Sequence, residues 1–145
     1  MRFESSVMIM RPIQEVFTLV ADFENDTKWR KGHITSKRTT PLPIGVGTKC
    51  REVIRAMGMQ KELVLEVTEF EPNKKVAFTS TRFGPMEPRG TFTFEGMQGS
   101  TKVTFIGEPK VGGLFNLLVP LMRQYAKGDM TKSLATLKAH LESGR

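Results

Sequence analysis

The chain has 145 residues, 39% of them hydrophobic and 26% charged, with 13 Gly, 8 Pro and a single cysteine, a composition that excludes collagenous, disordered and disulfide-scaffold classes. A chain of this length buries roughly two-thirds of its extended surface on folding, enough for one domain over residues 1–145 with no need of a disulfide or structural metal. The net charge of +7 permits an acidic partner, but no stretch has the glycine, aromatic or cysteine spacing of a nucleic-acid-binding module, so nucleic acid is excluded. Phe3, Ser5, Val7 and Ile9 share one face of a period-2 segment that reads as a strand. Arg11-Pro12 ends it, and Ile13, Val16, Phe17 and Val20 at helical spacing announce a helix that stops near Ala21-Asp22. Asn25 or Asp26 caps a short second helix ending at Gly32. Six strands follow, near 33–39, 48–57, 59–70, 75–83, 88–95 and 100–109, separated by glycine- and proline-containing turns such as Glu71-Pro72-Asn73 and Phe83-Gly84-Pro85. Leu63, Leu65 and Val67, Val76 and Phe78, Phe92 and Phe94, and Val103 and Phe105 give this antiparallel meander one apolar face. From Gly113 to about Glu142, leucines at helical spacing define a long amphipathic helix, which Pro120 kinks or parts from a short first turn.

Such a helix extends about 45 Å, more than the roughly 38 Å diameter of a compact chain of this length. It has to cross the whole molecule. A seven-stranded antiparallel sheet with one long helix to cover it curls into a half-barrel round that helix, and a curved sheet meets a straight helix along only part of its length. The space left over is filled by large side chains or stays open as a pocket.

The order strand, two helices, six strands, long helix resembles the SRPBCC superfamily, the α+β helix-grip fold of START lipid-transfer domains and birch-pollen-allergen-like proteins, and within it the polyketide cyclase/dehydrase-like branch. The residues that carry the resemblance are Val7-Met8-Ile9 with Arg11-Pro12 and Val16-Phe17, Asp22-Phe23-Glu24-Asn25 with Trp29, Gly45-Val46-Gly47-Thr48, Glu69-Phe70-Glu71-Pro72, Gly90 to Glu95 and Gly99 to Phe105. Arg11-Pro12 replaces the usual Pro-Pro, a loop variation. The resemblance implies a small hydrophobic or amphipathic ligand, such as a lipid, isoprenoid or polyketide-like molecule, held between sheet and helix. The alternative it implies is a cyclase or dehydratase acting on a polyketide-like substrate.

The expected wall of that pocket comprises Ile54, Leu65, Phe78, Phe92, Phe94, Phe105, Met122 and Tyr125, with Trp29 at the rim as a gate. Polar candidates are few. Glu52 shares a strand face with Cys50 and Ile54, and Arg82 has the parity of Phe78 and Ser80. Either they project inward, where a desolvated carboxylate is a general acid or base and an arginine neutralises it, or they sit at flared strand ends in solvent. Tyr125 on the apolar stripe of the last helix is the third catalytic candidate. Met57, Met59, Met86 and Met97 sit in or beside turns, where unbranched side chains suit either a pocket mouth or ordinary gap-filling. Gly45-Val46-Gly47 lacks the third glycine and the context of a dinucleotide loop and reads as a turn. His33 and His140 stand isolated and Cys50 is alone, so neither a metal nor any other cofactor is expected. The basic run Lys28, Arg30, Lys31, His33, Lys37, Arg38 reads as a solvated face, with transient contact to an anionic membrane as its functional alternative. An unpaired Cys50 and an N-terminus without a signal-peptide core point to the cytoplasm. The apolar run from Gly112 to Met122 is far shorter than the roughly 20 residues that span a bilayer. Monomer and homodimer are equally compatible with the sequence.

Overall fold

The structure, a computed structural model, describes residues 1–143; Gly144 and Arg145, the end of the expected 1–145 domain, lie outside the described residues. Strand β1 (Phe3–Ile9) buries Ser5 and Ile9 on one face. Pro12 opens helix α1 (Ile13–Ala21), whose Val16, Phe17, Val20 and Ala21 point inward. Asp22 accepts a hydrogen bond from the Glu24 N–H at 3.0 Å and starts a 3-10 turn, Phe23–Asn25, that runs into the one-turn helix α2 (Asp26–Trp29). Gly32 then adopts φ +82°, and a side chain there would overlap the Arg55 carbonyl, so the reversal into the next strand needs glycine.

The meander comprises β2 (His33–Arg38), β3 (Lys49–Ala56), β4 (Met59–Glu71), β5 (Lys75–Ser80), β7 (Arg89–Met97) and β8 (Ser100–Gly107). With β1 these strands form one antiparallel seven-stranded sheet in the order β1-β8-β7-β5-β4-β3-β2. The sheet is a curved half-barrel with a long C-terminal helix against it. Bulges between His33 and Thr35 and between Val67 and Glu69 add local twist. Gly90 and Gly107 pair directly across β7 and β8. A Cβ on either would overlap an aromatic ring, Phe105 over Gly90 and Phe3 over Gly107, so the bare backbone lets two phenylalanines lie flat on the sheet.

Two features depart from the sequence expectation. The strand placed at 75–83 stops at Ser80, because Phe83 and Met86 exchange backbone hydrogen bonds at 2.7 and 3.1 Å and turn the chain back. The two-residue strands β6 (Met86–Glu87) and β9 (Lys110–Val111) pair in a small second sheet, too short to show any alternation. The long helix is divided as Pro120 suggested: a 3-10 segment, Gly113–Leu118, precedes α3 (Val119–Ser143). Proline as the second residue of α3 gives up an N–H that has no intrahelical partner there.

Helix α3 is gripped from both edges of the sheet. On the β1 side, Ser5 and Thr131 hydroxyls lie 2.8 Å apart, and Lys138 donates to the Met8 carbonyl at 2.8 Å. On the β2 side, buried Ser133 accepts the Lys31 N–H at 2.9 Å. Met130, Leu134, Leu137 and Leu141 carry its buried stripe. The facing core is aromatic: Phe17 meets Phe94 and Phe70 edge-on at 5.0 and 5.5 Å, Trp29 meets Phe92 at 5.8 Å, and Phe92 meets Phe105 at 4.7 Å. Buried residues of α3 begin at Met130, so its first three turns stand off the sheet.

Candidate functional site

Where α3 stands off, a cavity of about 160 Å³ remains between it and the concave face. Phe3, Leu63, Leu65, Phe78, Phe83 and Phe105 form its sheet-side wall, and Met122, Tyr125, Ala126 and Met130 its helix side. Ile54, Ala56, Met57, Met86, Pro88 and Pro109 complete the apolar lining. One end is polar, with Arg30, Lys31, His33 and Asp129, while Ser80 and Arg89 lie on the strand side.

Behind His33 sits a buried network. Glu52, with 0% of its surface exposed, projects inward from β3. The His33 Nδ1 lies 3.0 Å from Glu52 Oε1, and the Ser36 hydroxyl donates to Glu52 Oε2 at 2.8 Å while lying 2.6 Å from the Phe23 carbonyl. The bulge after His33 puts residues 33 and 36 on the same side of β2, both facing Glu52. Asp26 is buried beside them, with Arg30 Nη1 and His33 Nδ1 at 3.8 and 3.9 Å from its Oδ2, and neither carboxyl oxygen has a hydrogen-bond partner.

Burial and neighbouring charges shift the protons of this network. Burial, then the negative charge of Glu52, raises the Asp26 pKa well above its ordinary value, so of the two carboxyls Asp26 is the one that takes up a proton first. Burial pushes Glu52 the same way, but the hydrogen bond from His33, the neighbouring Asp26 carboxyl and the Arg30 charge outweigh it and hold Glu52 below its ordinary value. Burial, then the Arg30 charge, lowers the His33 pKa. His33 is therefore neutral near pH 7. Because an ionised carboxylate only accepts, the ring proton sits on Nδ1 and Nε2 keeps its lone pair. Cys50, buried on β3, has its thiol pKa pushed up to about 12 by burial and by Glu52, which makes it a poor nucleophile.

The donor atoms of Asp26, His33 and Glu52 lie within 4.8 Å of one another, a spacing compatible with a divalent cation. Arg30 sits against the same Asp26 carboxyl and His33 already donates to Glu52, so the donor set reads as a hydrogen-bonded network, not a cation cage. His33 is nevertheless far from isolated, contrary to the sequence reading.

Of the residues singled out in the sequence, Ile54, Leu65, Phe78, Phe105, Met122 and Tyr125 line the cavity, Tyr125 being 46% exposed. Phe92 and Phe94 are not on its wall. They are buried under Trp29 and Phe17, because α1 and α2 cover that part of the concave face. Trp29 is no gate: it is buried edge-on to Phe92, with the Arg30 guanidinium 5.5 Å from its ring. Arg82 lies outside, its side chain 60% exposed and 3.9 Å from Glu87, since β5 ends at Ser80 and the strand parity ends with it. Glu52 does face inward but backs His33 and is not itself on the wall. Met57 and Met86 line the cavity, whereas Met59 and Met97 are exposed and take no part in it. The basic run 28–38 is not one continuous patch. Arg30 turns to Asp26, and Arg38 donates to Asp22 at 3.2 Å and through its N–H to Glu24 at 2.7 Å. The polar end escaped sequence reasoning because Asp26 doubles as a helix-start residue and unbroken alternation would set His33 on the face opposite Ser36 and Glu52; only the bulge brings it round. The inward parity of Glu52 was the one available signal.

A half-barrel sheet gripping a long helix, with an apolar cavity between them, defines the helix-grip class. The chain belongs to the family described as "Polyketide cyclase / dehydrase and lipid transport", whose model matches residues 1–142. It is similar to an uncharacterized protein of Mycobacterium tuberculosis, 27% identical over 121 residues, which spans 83% of this chain and 85% of that one. Among solved structures, a protein from Thermus thermophilus superposes with a TM-score of 0.81 at 20% identity, covering 99% of this chain and 98% of that one. A START superfamily protein from Mycobacterium smegmatis gives 0.79 at 14%, covering 98% and 97%. The Zhui aromatase/cyclase from a Streptomyces species gives 0.78 at 11%, covering 98% and 93%. At these identities the structural likenesses establish the fold alone. No helix among the described residues is long and apolar enough to cross a membrane.

Proposed function

We propose that the chain binds a small hydrophobic or amphipathic molecule in the cavity between sheet and α3, with any polar group of the ligand against Arg30 and His33. The observation that carries this reading is the cavity itself: an apolar space of about 160 Å³ whose few polar lining residues include Arg30, His33 and Asp129. Its volume is close to the roughly 150 Å³ that admits a benzene-sized molecule, so one aromatic ring or a short length of acyl chain fits. A cytoplasmic setting as a single domain goes with this reading, as does a monomer or homodimer. Native mass spectrometry of freshly purified protein is expected to show a co-purified small molecule. Delipidated protein is expected to gain thermal stability with lipids, isoprenoids or aromatic polyketide analogues. No shift across such a panel and no bound mass would defeat the proposal.

One observation favours a second reading, a polyketide cyclase or dehydratase: His33, oriented by Glu52, presents a neutral imidazole at an apolar cavity. Nε2 would take a proton from a carbon flanked by two carbonyls, and the resulting enolate carbon would attack a third carbonyl. That C–C bond closes the ring, the new alkoxide takes the proton back from Nε2, and the resulting hydroxyl leaves as water with the remaining proton of the attacking carbon, forming a C=C bond. His33→Gln keeps the residue polar but removes the base. Cyclisation of a poly-β-ketone probe should then fall by about 10²-fold with ligand affinity little changed; unchanged turnover would remove His33 from this role.

A further inference from the structure

Residues 109–128 carry Lys110, Arg123 and Lys127 and no Asp or Glu. Within them, Gly112–Leu118 are exposed throughout, Leu114 at 85% and Leu117 at 82%, with Phe115 and Leu121 also exposed. Scattered surface leucines are ordinary, but this is one contiguous apolar projection at the start of α3. Little holds it to the body: the Gly112 N–H donates to the Pro85 carbonyl at 3.1 Å, and β9 pairs with the two residues of β6. The same helix continues into Met122 and Tyr125, which line the cavity.

We propose that this projection is a docking surface for an anionic phospholipid bilayer. Leu114, Phe115, Leu117 and Leu121 enter the boundary between headgroups and acyl chains, and Lys110, Arg123 and Lys127 lie against the phosphates. Glu87 lies opposite Lys110 across β6 and β9 and Asp129 lines the cavity, but within 109–128 the apolar side chains are flanked by Arg123 and Lys127 without a carboxylate, the pattern of an interfacial element. A second copy of the chain is the less fitting occupant, since a two-fold pairing of this surface brings the same cations to both sides of the interface with no carboxylate in the segment to neutralise them. An anionic lipid surface supplies the missing charge. The surface does not depend on what the cavity binds; if ligand exchange does occur, Met122 and Tyr125 place the cavity beside the membrane.

The test is co-sedimentation of the full chain with vesicles of phosphatidylcholine alone and of phosphatidylcholine mixed with phosphatidylglycerol. Binding to the mixed vesicles is expected, weakened by salt and weaker still without the anionic lipid. Both wings of the surface are exposed, so variants in them should fold. Leu114→Ser/Leu117→Ser should lower the vesicle partition by about tenfold or more, and Arg123→Glu/Lys127→Glu should abolish the preference for anionic lipid. Lys37→Glu, on the distant β2 edge, should leave binding intact. The proposal is overturned if the parent chain ignores mixed vesicles at low salt, or if the double serine variant binds them as well as the parent. It is also overturned if light scattering shows a dimer that the serine variant dissociates while vesicles go unbound, which would make the face a protein interface. Thermal shifts with cavity ligands, measured without vesicles, read the cavity separately.

Discussion

Glu52 anchors the polar network because it satisfies two neighbours at once, the His33 ring and the Ser36 hydroxyl, from a position with no contact to solvent. Glu52→Ala leaves the His33 ring without its partner in the interior, while Ser36 keeps the Phe23 carbonyl, and is expected to cost about 3 kcal/mol, seen as a fall in Tm of about 10 °C; Glu52→Gln keeps one acceptor for His33 and should lose less. The pH dependence follows from opposite shifts. His33 and Glu52 are both depressed below ordinary values of 6.5 and 4.5, so the stability each contributes is fully present above those values and is lost as pH falls below them. Asp26 is raised above 3.8, so the folded state keeps a proton that the unfolded chain releases, and stability falls as pH rises from 3.8 towards the raised value. Asp26→Asn removes that penalty. The variant should melt a few degrees higher than the parent at pH 7 and converge with it near pH 3.5, as thermal denaturation across pH would read; a lower Tm at pH 7 would show instead that Asp26 is ionised and paired with Arg30.

At the scale of elements, α3 is two structures in one. Its later turns bury Leu134 and Leu137 almost completely, and Leu137→Ala should destabilise by about 3 kcal/mol, whereas Leu117→Ala in the preceding 3-10 segment should stay within about 0.5 kcal/mol. Strands β7 and β8 depend in turn on their facing glycines: Gly90→Ala drives the Phe105 ring off the sheet and is expected to cost about 1–3 kcal/mol, measurable by denaturant midpoint. The sequence made the seven main strands and the helices legible, because alternation in β4 (Leu63, Leu65, Val67) and helical spacing in α1 are strong, uninterrupted patterns. It hid β6 and β9, which are too short for a period. It misplaced Arg82 because alternation says nothing about where a strand ends. Ile54, Leu65, Phe78 and Phe105 were readable from parity and Met122 and Tyr125 from helical spacing, yet Trp29, Phe92 and Phe94 went to packing because which part of a concave face a helix covers depends on tertiary docking. The bulge at His33 had no sequence signature at all.

At the scale of the whole molecule, the small volume of the cavity opposes packing to cargo. Filling it should therefore raise stability and remove ligand response together. Ala126 lies on α3 at the wall, and Ala126→Leu is expected to raise the Tm of the ligand-free protein by a few degrees and abolish the thermal shift with hydrophobic ligands. A retained shift would place the ligand elsewhere. Cys50 offers a different handle on the same body. It is the chain's only thiol, it is buried on β3 with its ionisation pushed up to about 12, and only an accessible thiolate attacks an alkylating reagent. Alkylation at neutral pH thus waits until β3 parts from its neighbours, and the labelling rate becomes a clock for that opening, readable on whole protein in crude mixtures and slowed by any molecule that holds the half-barrel shut.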